Sequence, residues 1–215
     1  MSLITLTDPK SPVSEAYRTL RTNLSFFSLD NPIRTLVVTS AAMDEGKGEA
    51  IANLAVTMAQ GGRRTILVDC DLRRPALHAI FDLKQEPGFT DGILEQEKEP
   101  HLQETAVSNL WLLSSGALPP NPADLLGSPK VDQMIAGLIE KVDIILFNAP
   151  PIIAVTDAAV LGAKVDGVLL LIQAGKTRRE HAARAKETLE KARVRIVGTT
   201  LTNAPRDNSI GDYYG

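Results

Sequence analysis

Six short apolar runs rich in Val, Ile and Leu recur along the chain, at Arg34–Thr39, Thr65–Asp69, Leu110–Ser114, Asp143–Asn148, Gly167–Gln173 and Ile196–Thr202. Their apolar positions do not alternate with polar ones, which is the pattern of strands buried on both faces. The segments between them carry apolar residues at helical spacing and predict helices over Ser14–Phe27, Lys47–Gln60, Lys130–Lys141, Asp157–Val165 and Thr177–Arg193. Shorter helical turns are expected near Ala76–Phe81 and Pro122–Leu126. Strands and helices alternating in this way predict a doubly wound α/β domain, a mostly parallel sheet with helices on both faces. On the first helix Ala16, Leu20, Leu24 and Phe27 have the spacing of a buried stripe. That leaves Glu15, Arg18 and Arg21 at three-residue steps on a neighbouring face, and spacing alone reads these charges as solvated.

Ligands of such sheets bind beyond the carboxyl ends of the strands, and three segments there carry chemistry. The first is Ser40-Ala41-Ala42-Met43-Asp44-Glu45-Gly46-Lys47-Gly48-Glu49, between a predicted strand and a predicted helix. A tight turn into a helix N-terminus presents backbone N–H groups, here with Lys47, to phosphates. A phosphate loop places Ser or Thr after its lysine to hold Mg²⁺; this chain has Gly48, followed by the acidic Glu49. At a helix start Glu49 is expected to take up N–H donors otherwise left for phosphate. The second segment, Leu67-Val68-Asp69-Cys70-Asp71, puts two carboxylates two residues apart, on one side of an extended chain. Both are expected to address one metal–phosphate centre; the bland alternative is an Asx-turn with surface Asp–Arg pairing. The third is Asn148, a neutral residue at a strand end where an acid normally helps to hold the cation.

Composition narrows the field. The 215 residues are 44% apolar and 23% charged, enough for one large domain with a substantial core. A formal charge of −3 argues against a general drive toward nucleic acid. A single cysteine, Cys70, forms no internal disulfide, and with no signal-like N-terminus a cytoplasmic location is expected. The longest apolar stretches, such as Val168–Ile172, are far too short to span a bilayer, so membrane association is expected only through a partner or an additional N-terminal region. His78, His101 and His181 are scattered without metal spacing, and Arg206–Gly215 reads as a polar tail.

Together these residues resemble the cytoplasmic domain of bacterial tyrosine kinases that govern capsular and extracellular polysaccharide synthesis, a branch of the deviant-phosphate-loop ATPases. The resemblance runs from Ser11-Pro12 and Glu15-Ala16-Tyr17-Arg18-Thr19-Leu20-Arg21 through Glu45-Gly46-Lys47, Val68-Asp69, Asp71 and Arg73. It continues with Pro119-Pro120-Asn121-Pro122, Pro150-Pro151, Thr156-Asp157-Ala158 and Asn203, and ends at Tyr213-Tyr214-Gly215. It implies a phosphate-loop NTPase-like fold with ATP and Mg²⁺ held around Ser40, Glu45, Gly46, Lys47, Gly48 and Glu49. Asp69 and Asp71 would serve proton transfer and Mg²⁺, Asn148 would stand at a degenerate metal position, and Asn203 would contact adenine. Glu15, Arg18 and Arg21 match the family's oligomerisation motif, which overturns the solvated reading and implies a homo-oligomeric ring. Tyr213 and Tyr214 would be phosphoacceptors, and a transmembrane polysaccharide co-polymerase or activator the partner. The chain divides on this reading into an oligomerisation helix (1–30), a kinase domain (31–205) and a tail (206–215). Gly48, Glu49 and Asn148 imply impaired catalysis; the alternative is an inactive interaction module of the same family.

Overall fold

The structure, a computed structural model, describes residues 3–27, 32–94 and 100–205; Tyr213 and Tyr214 lie outside them. Its strands are β1 Thr35–Ser40, β2 Thr65–Asp69, β3 Gln103–Glu104, β4 Leu110–Leu113, β5 Ile144–Asn148, β6 Gly167–Gln173 and β7 Ile196–Thr202. The helices are α1 Ile4–Thr7, α2 Pro12–Phe27, α3 Lys47–Gln60, α4 Leu77–Phe81 and α5 Phe89–Leu94, then α6 Pro122–Gly127, α7 Pro129–Ile139, α8 Asp157–Gly162 and α9 Arg179–Lys191. The sheet order is β3-β4-β2-β5-β1-β6-β7, parallel except for the β3–β4 pair. Among the described residues no helix is long and apolar enough to cross a membrane.

The inner strands β1, β2, β5 and β6 bury both faces, as their sequences require, whereas β7, expected to do the same, lies at the sheet edge with Thr199 and Leu201 exposed. Val37, Ile66, Val68, Phe147 and Val168 pack with Leu126, Val131, Ile135, Leu161 and Leu189 on one side. Leu36, Val38, Leu67, Leu146 and Leu169 pack on the other with Ile51, Leu54 and Met58 of α3. Leu3 and Leu24 belong to this second layer, so α1 and α2 close over the outer side of α3. Sandwiched in this way, α3 is buried through Ala50–Ala59, which explains its many small residues. The chain leaves β1 for β2 on one side and crosses back from β5 to β6 on the other, opening a crevice at the carboxyl ends of β1, β2 and β5.

The stripe expected on α2 is rotated. Ala16 is exposed and Phe27 is 46% exposed, whereas Ser14 and Leu24 are buried and Tyr17, Leu20 and Arg21 half-buried. The cause is α1: the Ser14 hydroxyl donates to the carbonyls of Asp8 at 2.7 Å and Ile4 at 3.2 Å, turning that face inward. Phe27 instead lies 5.0 Å beneath the Arg195 guanidinium. The short elements α1, α5 and β3 were not expected from periodicity.

Candidate functional site

The loop after β1 is held from three directions. Gly46 takes a left-handed conformation (φ 73°) just before α3, which a glycine adopts without cost. Asp44 does the same with φ 57°. Glu45, only 1% exposed, is the hub: its Oε2 accepts from the Ala42 N–H at 3.0 Å, and its Oε1 accepts from the Thr177 hydroxyl. The Thr202 hydroxyl donates to the Glu45 carbonyl at 3.3 Å, Lys176 Nζ donates to the Asp44 carbonyl, and Ser40 Oγ donates to the Ala42 carbonyl at 2.8 Å. The loop is thus latched to the β6–α9 turn and the end of β7.

The N-cap of α3 is Gly46, and among the described residues no side chain, Glu49 included, accepts from the first-turn N–H groups. The self-capping expected of Glu49 is therefore not formed. Its helix starts from a left-handed glycine, and Glu49 stands in the wall of the adjoining cavity instead. The N–H groups of the first turn of α3 stay available to an anion.

Beneath the loop four side chains converge. Lys47 Nζ donates to Asn148 Oδ1 at 2.5 Å and to Asp71 Oδ2 at 3.2 Å. Asn148 Nδ2 donates to Asp69 Oδ1 at 2.8 Å. Asp69 Oδ2 accepts from the backbone N–H groups of Ala76 at 3.0 Å and Leu77 at 2.9 Å, at the start of α4. Burial pushes the Asp69 carboxyl above the usual carboxylate range, opposed first by the Leu77 N–H and then by Asn148 and Lys47. Asp69 Oδ1 also accepts from the Asp71 N–H, two residues on, at 3.3 Å, the Asx-turn geometry considered for this pair, and Asp71 Oδ1 accepts from the Arg74 N–H at 3.1 Å. Cys70, between the acids, is fully buried, and its thiol is pushed well up by burial and then by Asp69 and Asp71.

A cavity of about 610 Å³ opens over this cluster. Ser40, Glu45, Gly46, Lys47, Gly48, Glu49, Asp71 and Asn148 all line it, with Arg73, Arg74, Ile80 and Pro150-Pro151 on the other walls. Asp69 and Asn203 do not. Asp69 departs from the expectation that both acids face one centre, because its oxygens are consumed by α4 and Asn148. Asn203, exposed and left-handed (φ 52°), follows the Thr202 that touches the loop. Arg73 grips the buried Asp157 through Nε at 2.8 Å and Nη2 at 3.1 Å. On α2, Glu15 pairs with Arg18 at 2.5 Å, while Arg21 donates to the Thr57 carbonyl of α3 at 2.8 Å. Thr177 and Thr202 escaped the sequence reading: they touch Glu45 across 132 and 157 residues of chain, and no local pattern marks them.

A strand–loop–helix turn with a buried lysine, at the switch point of a parallel sheet, defines the phosphate-loop NTPase-like class of fold. No family model matches the chain. It is 40% identical over 216 residues to the tyrosine-protein kinase YwqD of Bacillus subtilis (strain 168), covering 100% of this chain and 91% of that kinase. It is 32% identical over 204 residues to the tyrosine-protein kinase CpsD of Streptococcus agalactiae, covering 93% and 87% respectively. Among solved structures, the chimerical protein CapA2B2 superposes with a TM-score of 0.90 at 31% identity, covering 95% of this chain and 90% of that one. The kinase domain of the Escherichia coli tyrosine kinase ETK superposes with a TM-score of 0.89 at 28% identity, covering 97% and 82%. The chain belongs to the bacterial tyrosine-kinase family.

Proposed function

We propose that the chain is an ATP-binding protein-tyrosine autokinase domain that regulates capsular or extracellular polysaccharide synthesis, with phosphoryl transfer weakened by Gly48, Glu49 and Asn148. The observation that carries this reading is the junction of Lys47, Asn148, Asp69 and Asp71 under an open phosphate cradle. Lys47 and the uncapped first turn of α3 would hold the triphosphate, and the cavity volume falls within the usual range of roughly 300–1,000 Å³ for small-molecule sites. Asp71, which faces the cavity, would accept the tyrosine proton. Asp69, buried and held by four donors, would orient Asn148 and through it Lys47.

The same residues do not fit a resident Mg²⁺. Gly48 has no hydroxyl and Asn148 Oδ1 is taken by Lys47, so of the side chains that would hold the cation only the Asp71 carboxylate still faces the cavity. Charge neutralisation at the transferred phosphoryl therefore rests on Lys47, which slows a reaction that depends on it. Glu15 and Arg18 would form the contact surface of a homo-oligomer, Arg21 holding their helix to α3. A transmembrane activator would bring the domain to the membrane from the cytoplasm, and Asn203 would meet the adenine. The test is transfer of labelled γ-phosphate from ATP to the chain, with Tyr213→Phe/Tyr214→Phe as control. Slow labelling that rises in the Gly48→Ser/Asn148→Asp double variant is expected. No labelling by either chain would favour the inactive interaction module.

A further inference from the structure

The cavity wall opposite the phosphate loop carries two adjacent arginines whose circumstances differ. Arg73 is spent on Asp157 through two hydrogen bonds. Arg74 is exposed and lines the same cavity, but its guanidinium has no acceptor among the described residues; only its backbone N–H is engaged, by Asp71. Next to it the wall is apolar, formed by Ala76, Ala79 and Ile80. A free cation beside an apolar shelf suits a peptide in which an acidic residue adjoins an aromatic one. The chain has one such segment outside the described residues, Asp212-Tyr213-Tyr214.

We infer that Arg74 is the acceptor-docking residue of this site: it pairs with Asp212 of a second copy and so lays Tyr213 or Tyr214 against the Ala76–Ile80 shelf, toward Asp71. Which segment is the acceptor rests on the autokinase reading; the arginine's preference for an acid before an aromatic does not. Asp44 and Glu49 on the facing wall repel acidic peptide, so the contact is local and depends on Arg74 alone among the cavity's cations, Lys47 and Arg73 being paired already.

The test is a charge swap read by fluorescence anisotropy, with the full chain and its Arg74→Glu variant titrated against labelled peptides of residues 206–215, either unaltered or carrying Asp212→Lys. An exposed ion pair contributes up to about 1 kcal/mol, so Arg74→Glu is expected to weaken the unaltered peptide about fivefold and to bind the Asp212→Lys peptide better than the parent chain does. Equal discrimination between the two peptides by both chains would overturn the inference, as would absence of peptide binding by either chain. ATP titrated in parallel separates the two ideas. A chain that binds ATP yet shows no swap loses Arg74's role and keeps the nucleotide site; a swap without ATP binding does the reverse.

Discussion

Replacing Asn148 by Asp probes how the cluster balances its charge. In the present chain Asn148 faces two ways, donating to Asp69 at 2.8 Å and accepting from Lys47 at 2.5 Å. An aspartate keeps the second contact and reverses the first, setting two carboxylates against each other at a fully buried position. Losing a hydrogen bond to a charged group costs about 1.5–3 kcal/mol. Two like charges about 4 Å apart repel by about 4 kcal/mol at an effective dielectric of 20, and the added attraction to Lys47 offsets a term of similar size. A net loss of about 2–3 kcal/mol lowers Tm by roughly 5–10 °C in a domain of this length. The pair would hold a proton in the fold more tightly than in the unfolded chain, so the penalty is small below the ordinary carboxylate range and grows as pH rises through the folded pair's pKa. Calorimetric melting of parent and variant from pH 5 to pH 8, with and without Mg²⁺, reads this out. The Tm deficit should be larger at pH 8, and Mg²⁺ should reduce it in the variant alone. A variant as stable as its parent at every pH, or a deficit that shrinks as pH rises, would refute the charge argument.

Further consequences follow from neighbouring residues. Gly48→Ser fits, because a Cβ there meets only Ile80 Cδ1 at 3.5 Å; it should raise stability by about 0.5 kcal/mol and make ATP affinity depend more on Mg²⁺, as calorimetry would show. Thr177→Val removes the donor to the buried Glu45 carboxylate and should cost about 1–3 kcal/mol in urea unfolding, with weaker ATP binding and rescue by Thr177→Ser. Asp44→Gly relieves a left-handed backbone and should gain up to about 1 kcal/mol in the same unfolding measurement. Tyr17 has its pKa pushed up to about 12 by burial and then by Glu49. In a Tyr213→Phe/Tyr214→Phe background its ultraviolet titration should lie near that value rather than 10, and the stability it contributes below pH 10 should be lost as pH climbs toward 12.

The sheet was legible because each inner strand is buried on both faces and leaves an unbroken apolar run; β2, β6 and β7 fall on the residues that periodicity marks. The cluster of Lys47, Asp71 and Asn148 was legible for a related reason: residues at the carboxyl ends of adjacent parallel strands must meet, and the register pairing Asp69 with Asn148 brings them together. Helix spacing fixed the period of α2 but not its rotation, since the four-residue α1 that covers Ser14 has no pattern of its own. The two-residue β3 is equally silent. Glu49 shows that a helix-start carboxylate need not cap when a left-handed glycine already ends the loop. The Glu45 latch and the Arg21–Thr57 bond are products of tertiary packing, joining residues with no local relation.

On the function proposed above, this pocket would hold a triphosphate through Lys47 and the α3 N-terminus with a weakened grip on the accompanying cation. Isothermal titration of the chain with ATP, in Mg²⁺ and in EDTA, tests it most directly when run beside the Gly48→Ser/Asn148→Asp variant. Measurable binding by the unaltered chain that changes little between the two buffers is expected, with a marked Mg²⁺ dependence in the variant. Binding by the unaltered chain that vanishes in EDTA, or no binding in either buffer, would contradict it.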